Sequence, residues 1–242
     1  MTSKYIKIID VVDKILSELT VVFFSIIICC CGYAIYDAIC IHQETRIITD
    51  ASKLINNTPD SERISKLKET NSEIIAWLTV DGTDIDYPVV QTGDNKYYLS
   101  HDYKKDYSIA GSIFADYRSN LLEDDYAVIY GHNMSGASMF GAINKYSDES
   151  YLNQHAGGRI FLEDGSVHDL RVLAYAVVDN DNNSLYELDG DMKNKNTEVV
   201  DYVSKIIKKN ITNAGYSKLL LLSTCYQHSA KRAVLLVGYN EV

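Results

Sequence analysis

The chain has 242 residues, room for one domain of ordinary size and an appendage. Its 46% hydrophobic and 23% charged residues exclude a disordered chain. A net charge of −10 excludes the broad basic face with which a nucleic-acid binder displaces counterions.

The appendage comes first. From Leu19 to Tyr36 no residue is charged, and Phe23, Phe24 and Ile26 to Ile28 carry the hydrophobicity. A helix over this stretch reaches about 27 Å, against the roughly 30 Å hydrocarbon core of a bilayer. Lys4, Lys7 and Lys14 precede it, whereas Asp37 and Glu44 follow. The positive-inside rule, in which Asp10, Asp13 and Glu18 count little, predicts a cytoplasmic N-terminus and an external remainder. A cleaved signal peptide is the competing reading. Tyr33-Ala-Ile-Tyr-Asp37 is a poor cleavage site and no lipobox-like small residue precedes a cysteine, so an uncleaved anchor is expected. The predicted division is a tail at 1–18, a transmembrane anchor at 19–41, a stalk with a short helix at 42–70, and a folded outer domain at 71–242. Cys29, Cys30, Cys31 and Cys40 lie in or beside the anchor, leaving Cys225 without a disulfide partner in the outer domain. A solitary external thiol is open to oxidation, which points to use rather than packing.

Within the stalk, Asn56-Asn57-Thr58-Pro59-Asp60 is a break, and Ser61 to Glu69 reads as a short helix entered through Pro59 and Asp60. From Ile74 onward the texture changes to short apolar runs between turn residues. Ile74–Val80 and Ile85–Val90 flank Asp81-Gly82, a hairpin signal. Ser112–Ala115 and Tyr126–Tyr130 follow, then Arg159–Leu162 and Asp169–Val178 around Asp164-Gly165, and finally Lys218–Thr224 and Ala233–Tyr239. Eight strands with this turn chemistry predict a mainly β barrel or sandwich. Two helices interrupt them. One is short, over Ser138–Tyr146. The other, over Thr197–Asn210, gathers Val199, Val200, Val203, Ile206 and Ile207 on one face, with Asn196 as its expected cap and Lys205, Lys208 and Lys209 at its negative end. Nineteen tyrosines against one tryptophan suggest a polar-aromatic surface.

Cys225 ends the apolar run Lys218-Leu-Leu-Leu-Leu-Ser-Thr, where a buried strand meets a loop. A thiol nucleophile needs a base or cation beside it, because the thiolate is the reacting form. Among His42, His101, His132, His155, His168 and His228, position favours His132, which follows the strand Asp125–Tyr130 through Gly131. His155 and His168 lie in polar stretches and are expected to face solvent. His228, three residues after Cys225, is the rival base. If the last two strands pair, Arg232 faces Cys225 across the hairpin neck, and its permanent charge suits a thiolate and the oxyanion of a tetrahedral intermediate. A solvated hairpin arginine is the alternative, with Lys231 as competing cation. No cofactor is implied, and no His/Cys/Asp cluster has metal-ligand spacing.

Leu222-Ser-Thr-Cys225 resembles the TLxTC-type signature of sortases, and Tyr130-Gly-His-Asn-Met134 their histidine motif; Arg232 matches the arginine that follows the cysteine. The likeness continues through Trp77-Leu78, Ile85-Asp-Tyr-Pro-Val-Val90, Asn95-Lys-Tyr-Tyr-Leu99, Gly111-Ser-Ile-Phe114 and Ser138-Met-Phe140, over about residues 71–242. These motifs resemble the class B branch, in which the interval between cysteine and arginine can be longer than here.

The resemblance implies an eight-stranded sortase-type β-barrel with an N-terminal helical lead-in and an extra helix before the penultimate strand. It implies a membrane-anchored cysteine transpeptidase on the outer face of a Gram-positive-type cell. Cys225 would cleave the C-terminal sorting signal of secreted proteins after Thr, through a thioester. His132 would act as acid and base and Arg232 would hold the oxyanion. Asn95, Leu99, Tyr130 and Ser223 would line the peptide groove, with Thr224 helping to fix the loop and Leu185 and Tyr186 as further groove residues. The acyl acceptor would be an amine of peptidoglycan or of its lipid-linked precursor. A papain-like cell-wall peptidase is an alternative, although there the cysteine generally precedes the histidine. An L,D-transpeptidase would show a His-Gly-Cys-Arg-like cluster, which is absent. A non-enzymatic adhesion domain would leave the Cys, His and Arg at strand ends unexplained.

Overall fold

The computed structural model describes residues 2–55, 58–134, 138–188, 195–207, 215–226 and 230–240. The chain divides into two compact units, Met1–His42 and Gln43–Val242. The first is helical, part of α1 (Thr2–Ile55), and its stretch Ile9–Ile39 is long and apolar enough to cross a membrane. Leu19, Phe23, Phe24 and Ile28 on this stretch are exposed.

In the second unit a short 3-10 turn, Asp60–Glu62, leads into α2 (Arg63–Lys68). Among the described residues eight strands follow: β1 (Ile74–Val80), β2 (Asp86–Val90), β3 (Ile113–Ala115), β4 (Tyr126–Tyr130), β5 (Gly157–Leu162), β6 (Val167–Asp179), β7 (Lys218–Cys225) and β8 (Lys231–Tyr239). They close into a barrel in the order β1-β2-β3-β4-β7-β8-β6-β5, with β2–β3 and β4–β7 parallel and the other pairs antiparallel. Both expected glycine turns are present. Gly82 (φ +70°) and Gly165 (φ +88°) occupy the left-handed region that a side chain disfavours.

Side-chain alternation sorts the strands into faces. Leu220, Leu222, Leu235 and Val237 point into the barrel with Ile129, Leu78 and Ile160. Leu219, Leu221, Val234 and Leu236 point outward, where α4 (Asn183–Tyr186) and α5 (Lys195–Ile207) cover them through Leu185, Val199, Val200 and Val203. β7 is thus buried on both faces, which explains its unbroken leucine run. A third cluster packs Ile64 and Leu67 of α2 on Trp77, Phe114 and Phe161 of the opposite outer face.

Several local expectations are corrected. The predicted short helix is a 3-10 segment at Phe140–Ser147, followed by α3 (Glu149–Gln154), which Asp148 caps through the Ser150 and Tyr151 amides. Asn196 lies inside α5 and donates its amide to Ser217 O (2.9 Å) instead of capping the helix. His168 is only 6% exposed, held between Asn240 O and Ser166 Oγ, so it does not face solvent. Tyr87, Tyr98, Tyr103, Tyr126, Tyr146 and Tyr239 are buried as well. Their rings fill core, and the hydroxyls of Tyr87, Tyr98, Tyr126, Tyr146 and Tyr239 reach polar partners, as Tyr126 does at Leu185 O (2.8 Å) and Tyr146 at Asp81 O (2.7 Å).

Candidate active site

Three neighbouring strands bring the chemistry to one level. In the parallel pair β4–β7, Tyr130 is in register with Ser223, and the Gly131 N–H extends the pairing to Ser223 O (3.2 Å). His132 and Cys225 each follow that pair by two residues, so both leave the sheet at the same height. In the antiparallel pair β7–β8, Cys225 is in register with Arg232. The Tyr226 N–H bond to Lys231 O (3.0 Å) flanks this pair, which makes it a narrow, non-hydrogen-bonded position. Side chains at such positions share a face, with Cβ atoms about 4.5–5.5 Å apart. Cys225 on β7 and Arg232 on β8 thus face each other, and His132 follows β4 at the same level.

The order of this ledge depends on small contacts. A Cβ on Gly131 would meet Ile113 Cδ1 at 2.5 Å and Phe140 Cγ at 2.8 Å, so any side chain there requires those neighbours or the backbone to shift. Asn133 Nδ2 donates to Cys225 O (2.8 Å), tying the histidine loop to the end of β7. His132 Nε2 lies 2.8 Å from Leu99 O. A carbonyl oxygen only accepts, so Nε2 carries the proton and Nδ1 is the basic nitrogen of the neutral ring.

An open groove of about 420 Å³ runs over the ledge, and His132, Cys225 and Arg232 all line it. Of the expected groove residues, Asn95, Leu99, Tyr130 and Tyr186 also line it. Leu185, Ser223 and Thr224 do not. Leu185 is fully buried beneath α5, and Thr224 is fully buried on the inward side of β7. Ser223 shares the face of Cys225, but Tyr186 covers it, with Tyr186 Oη 2.8 Å from Ser223 Oγ. Phe114, Gly131 and Asn180 complete the wall. Asn180 carried no signal, since it only follows β6 in sequence; its N–H reaches Ala230 O (3.2 Å).

Among the cations, Lys231 is turned away. Its amine lies 4.0 Å from Asp179 Oδ1, outside the groove lining. The Arg232 guanidinium instead sits over the Tyr130 ring, 5.7 Å from its centroid. Among the histidines, the His101 ring stacks on Tyr97 at 4.1 Å and its Nδ1 contacts Tyr97 O, and His155 packs on Tyr151. His228 lies outside the described residues, and nothing is described of the His42 side chain. Among the described residues no group of three or more His, Cys, Asp or Glu could hold a metal ion.

Beneath the groove is an acid that sequence reasoning missed. Asp116, directly after β3, is fully buried and accepts from Tyr130 Oη (3.0 Å), Asn95 Nδ2 (2.8 Å) and the Arg118 guanidinium (2.9 Å). Burial pushes its carboxyl up, but the hydrogen bonds from Arg118, Asn95 and Tyr130 outweigh that and leave it below the ordinary carboxylate value. Burial, with the Asp116 charge second, drives the Tyr130 phenol well above its usual range, so it remains a proton donor. The Tyr186 phenol is pushed up to about 12, chiefly by burial.

Known proteins resemble this chain over most of its length. The family model described as the sortase domain matches residues 78–238. Sortase B of Listeria monocytogenes is 34% identical over 182 residues, covering 73% of this chain and 72% of that protein. Sortase B of Staphylococcus aureus is 26% identical over 192 residues, covering 74% of this chain and 75% of that protein. Among solved structures, Bacillus anthracis sortase B superposes with a TM-score of 0.68 at 29% identity, covering 84% of this chain and 98% of that one. The S. aureus sortase B structure superposes with a TM-score of 0.71 at 22% identity, covering 83% and 98%, a likeness of fold. The closed eight-stranded barrel, the ordered motifs and these matches together mean that the chain belongs to the sortase family, in its class B branch.

Proposed function

We propose that this protein is a membrane-anchored cysteine transpeptidase that joins secreted proteins to a cell-wall amine. The observation that carries the reading is that His132, two residues past β4, Cys225 at the end of β7 and Arg232 on β8 line one open groove. The Cys225 thiolate attacks the carbonyl of a Thr in the C-terminal sorting signal. Arg232 stabilises the oxyanion of the tetrahedral adduct. Its collapse breaks the C–N bond, His132 gives the leaving amine a proton, and a thioester remains on Cys225. An amine of peptidoglycan or its lipid-linked precursor then attacks the thioester while His132 takes up its proton, and the thiolate departs. Asn95, Leu99, Tyr130 and Tyr186 hold the peptide.

The apolar stretch Ile9–Ile39 supports a single-pass anchor, with Lys4, Lys7 and Lys14 on the cytoplasmic side and the barrel outside. Substrate, acceptor and enzyme then share one surface, which raises their effective concentration. The test uses residues 42–242 in detergent-free buffer beside the full chain in vesicles, with fluorogenic sorting-type peptides and a small amine. Cleavage with formation of the amine adduct, lost in Cys225→Ala, is the expected result. Full activity in Cys225→Ala would end the thioester mechanism. Hydrolysis that never yields an adduct would favour the cell-wall peptidase instead.

A further inference from the structure

Asp116 touches neither the groove surface nor the three reactive side chains, yet its carboxylate gathers the groove wall. Oδ2 accepts from Asn95 Nδ2, Tyr130 Oη and Arg118 Nη2 (2.8, 3.0 and 3.0 Å), and Oδ1 accepts from the Arg118 backbone N–H and Nε (3.0 and 2.9 Å). Arg118 Nη2 also donates to Tyr186 O (3.1 Å). The acid itself is pinned by the backbone, its N–H bonded to Val128 O (2.9 Å) and its carbonyl accepting from Gln91 Nε2 (2.7 Å). Asn95 is oriented from both ends, because its Oδ1 accepts from the Tyr117 N–H (3.0 Å). Tyr130, held by its hydroxyl, presents its ring to the Arg232 guanidinium at 5.7 Å and stacks on Tyr186 at 6.3 Å.

From this network we infer that Asp116 is a positioning residue: one buried carboxylate sets the orientation of Asn95 and Tyr130, and through Tyr130 the seat of Arg232. The physical reason is geometric. A carboxylate is all acceptor, so it can bind the Asn95 amide, the Tyr130 hydroxyl and a guanidinium fork at once. An isosteric amide turns a donor either toward Asn95 and Tyr130 or toward the Arg118 fork, which also holds Tyr186 O, so the groove wall loses an anchor in either orientation. A carboxylate buried only for stability would need Arg118 alone. Here it spends two of its acceptor sites on side chains that line the groove.

The inference rests on the transpeptidase reading for its kinetic arm and on none for its spectroscopic arm. In Asp116→Asn, kcat/KM for a sorting-type peptide should fall about 10- to 100-fold, the range of losing a hydrogen bond to a charged group. Alkylation of Cys225 by iodoacetamide, which needs no groove, should stay within about twofold. Combined with Tyr130→Phe, the losses should be less than multiplicative, because both variants cut one tie. The side-chain amide resonances of Asn95, assigned with Asn95→Asp, should shift in Asp116→Asn. Unchanged peptide kinetics in a folded variant, alkylation falling in parallel, multiplicative losses or unmoved Asn95 resonances would each overturn the positioning role. If Asp116→Asn does not fold, Tyr130→Phe carries the test alone: it should lower kcat/KM about threefold to tenfold and shift the Asn95 amide, and no change in either overturns the inference. An inactive wild type with a shifted Asn95 amide would sink the transpeptidase reading and leave the positioning role standing.

Discussion

Cys225 and Arg232 are direct partners in the β7–β8 ladder, at a narrow position where their side chains project to the same face. Lys231, one residue earlier, pairs instead with Asp179 on β6. A hairpin Lys-Arg pair is thereby split, one cation to the groove and one to the rim.

This split predicts unequal effects. Arg232→Lys keeps a charge but loses the planar fork, and kcat should drop about 100-fold or more, as for loss of an oxyanion donor. Lys231→Ala should keep kcat within about twofold, since exposed ion pairs contribute little. Steady-state kinetics on one sorting-type peptide decides it, and loss confined to Lys231→Ala would reassign the cation.

With Nε2 held at Leu99 O, the acid and base proposed for His132 acts through Nδ1. His132→Ala should lower kcat by about 10²- to 10⁴-fold, the usual contribution of general acid–base catalysis. His228→Ala should leave the rate within about twofold. The reverse ranking in the same assay would move the base to the loop after Cys225.

Gly131 tests the ledge itself. Gly131→Ala forces a methyl into Ile113 and Phe140, at a cost of about 1–3 kcal/mol for overpacking. The backbone must shift where it hands over to His132, so activity should fall well beyond the fraction unfolded at assay temperature. Parallel thermal melts and rates separate the two, and activity tracking the folded fraction would show the ledge to be tolerant.

Asp116 also predicts an acid limb of stability. Its folded carboxyl titrates below the ordinary value of 3.8, so its stabilising contribution is complete above that value. The contribution is lost as pH falls from there through the lower folded value. Urea midpoints of the wild type should therefore decline below about pH 4 more steeply than those of Asp116→Asn. Equal slopes for the two proteins would mean that Asp116 is not held ionised.

Much of the barrel is legible in the chain. Period-two alternation and the Asp-Gly turns locate the strands, and the double-sided leucine run of β7 announces a strand buried on both faces. Some misplacements were readable by the same rule. Thr224 alternates with Cys225 and so must face inward, and His168 is in phase with Leu170 and Val172 along β6. Ser223 and Leu185 are different cases. Alternation puts Ser223 on the face of Cys225 but says nothing of Tyr186 lying over it.

The sequence by itself therefore determined the eight strands, the apolar N-terminal stretch, and a thiol, an imidazole and two cations placed near strand ends. Periodicity and turn chemistry are local properties, and each short segment carries its own signal. Only the tertiary structure decided which cation stands beside Cys225, because strand register selects Arg232 over Lys231. Only it placed Asp116 beneath Asn95 and Tyr130, since contacts across 14 to 21 residues of separation depend on how β3, β4 and the Asn95 turn close around one buried carboxylate. The site that opened as a lone cysteine at the end of a leucine strand is, in the fold, a rung of β7 and β8 beside the loop that leaves β4.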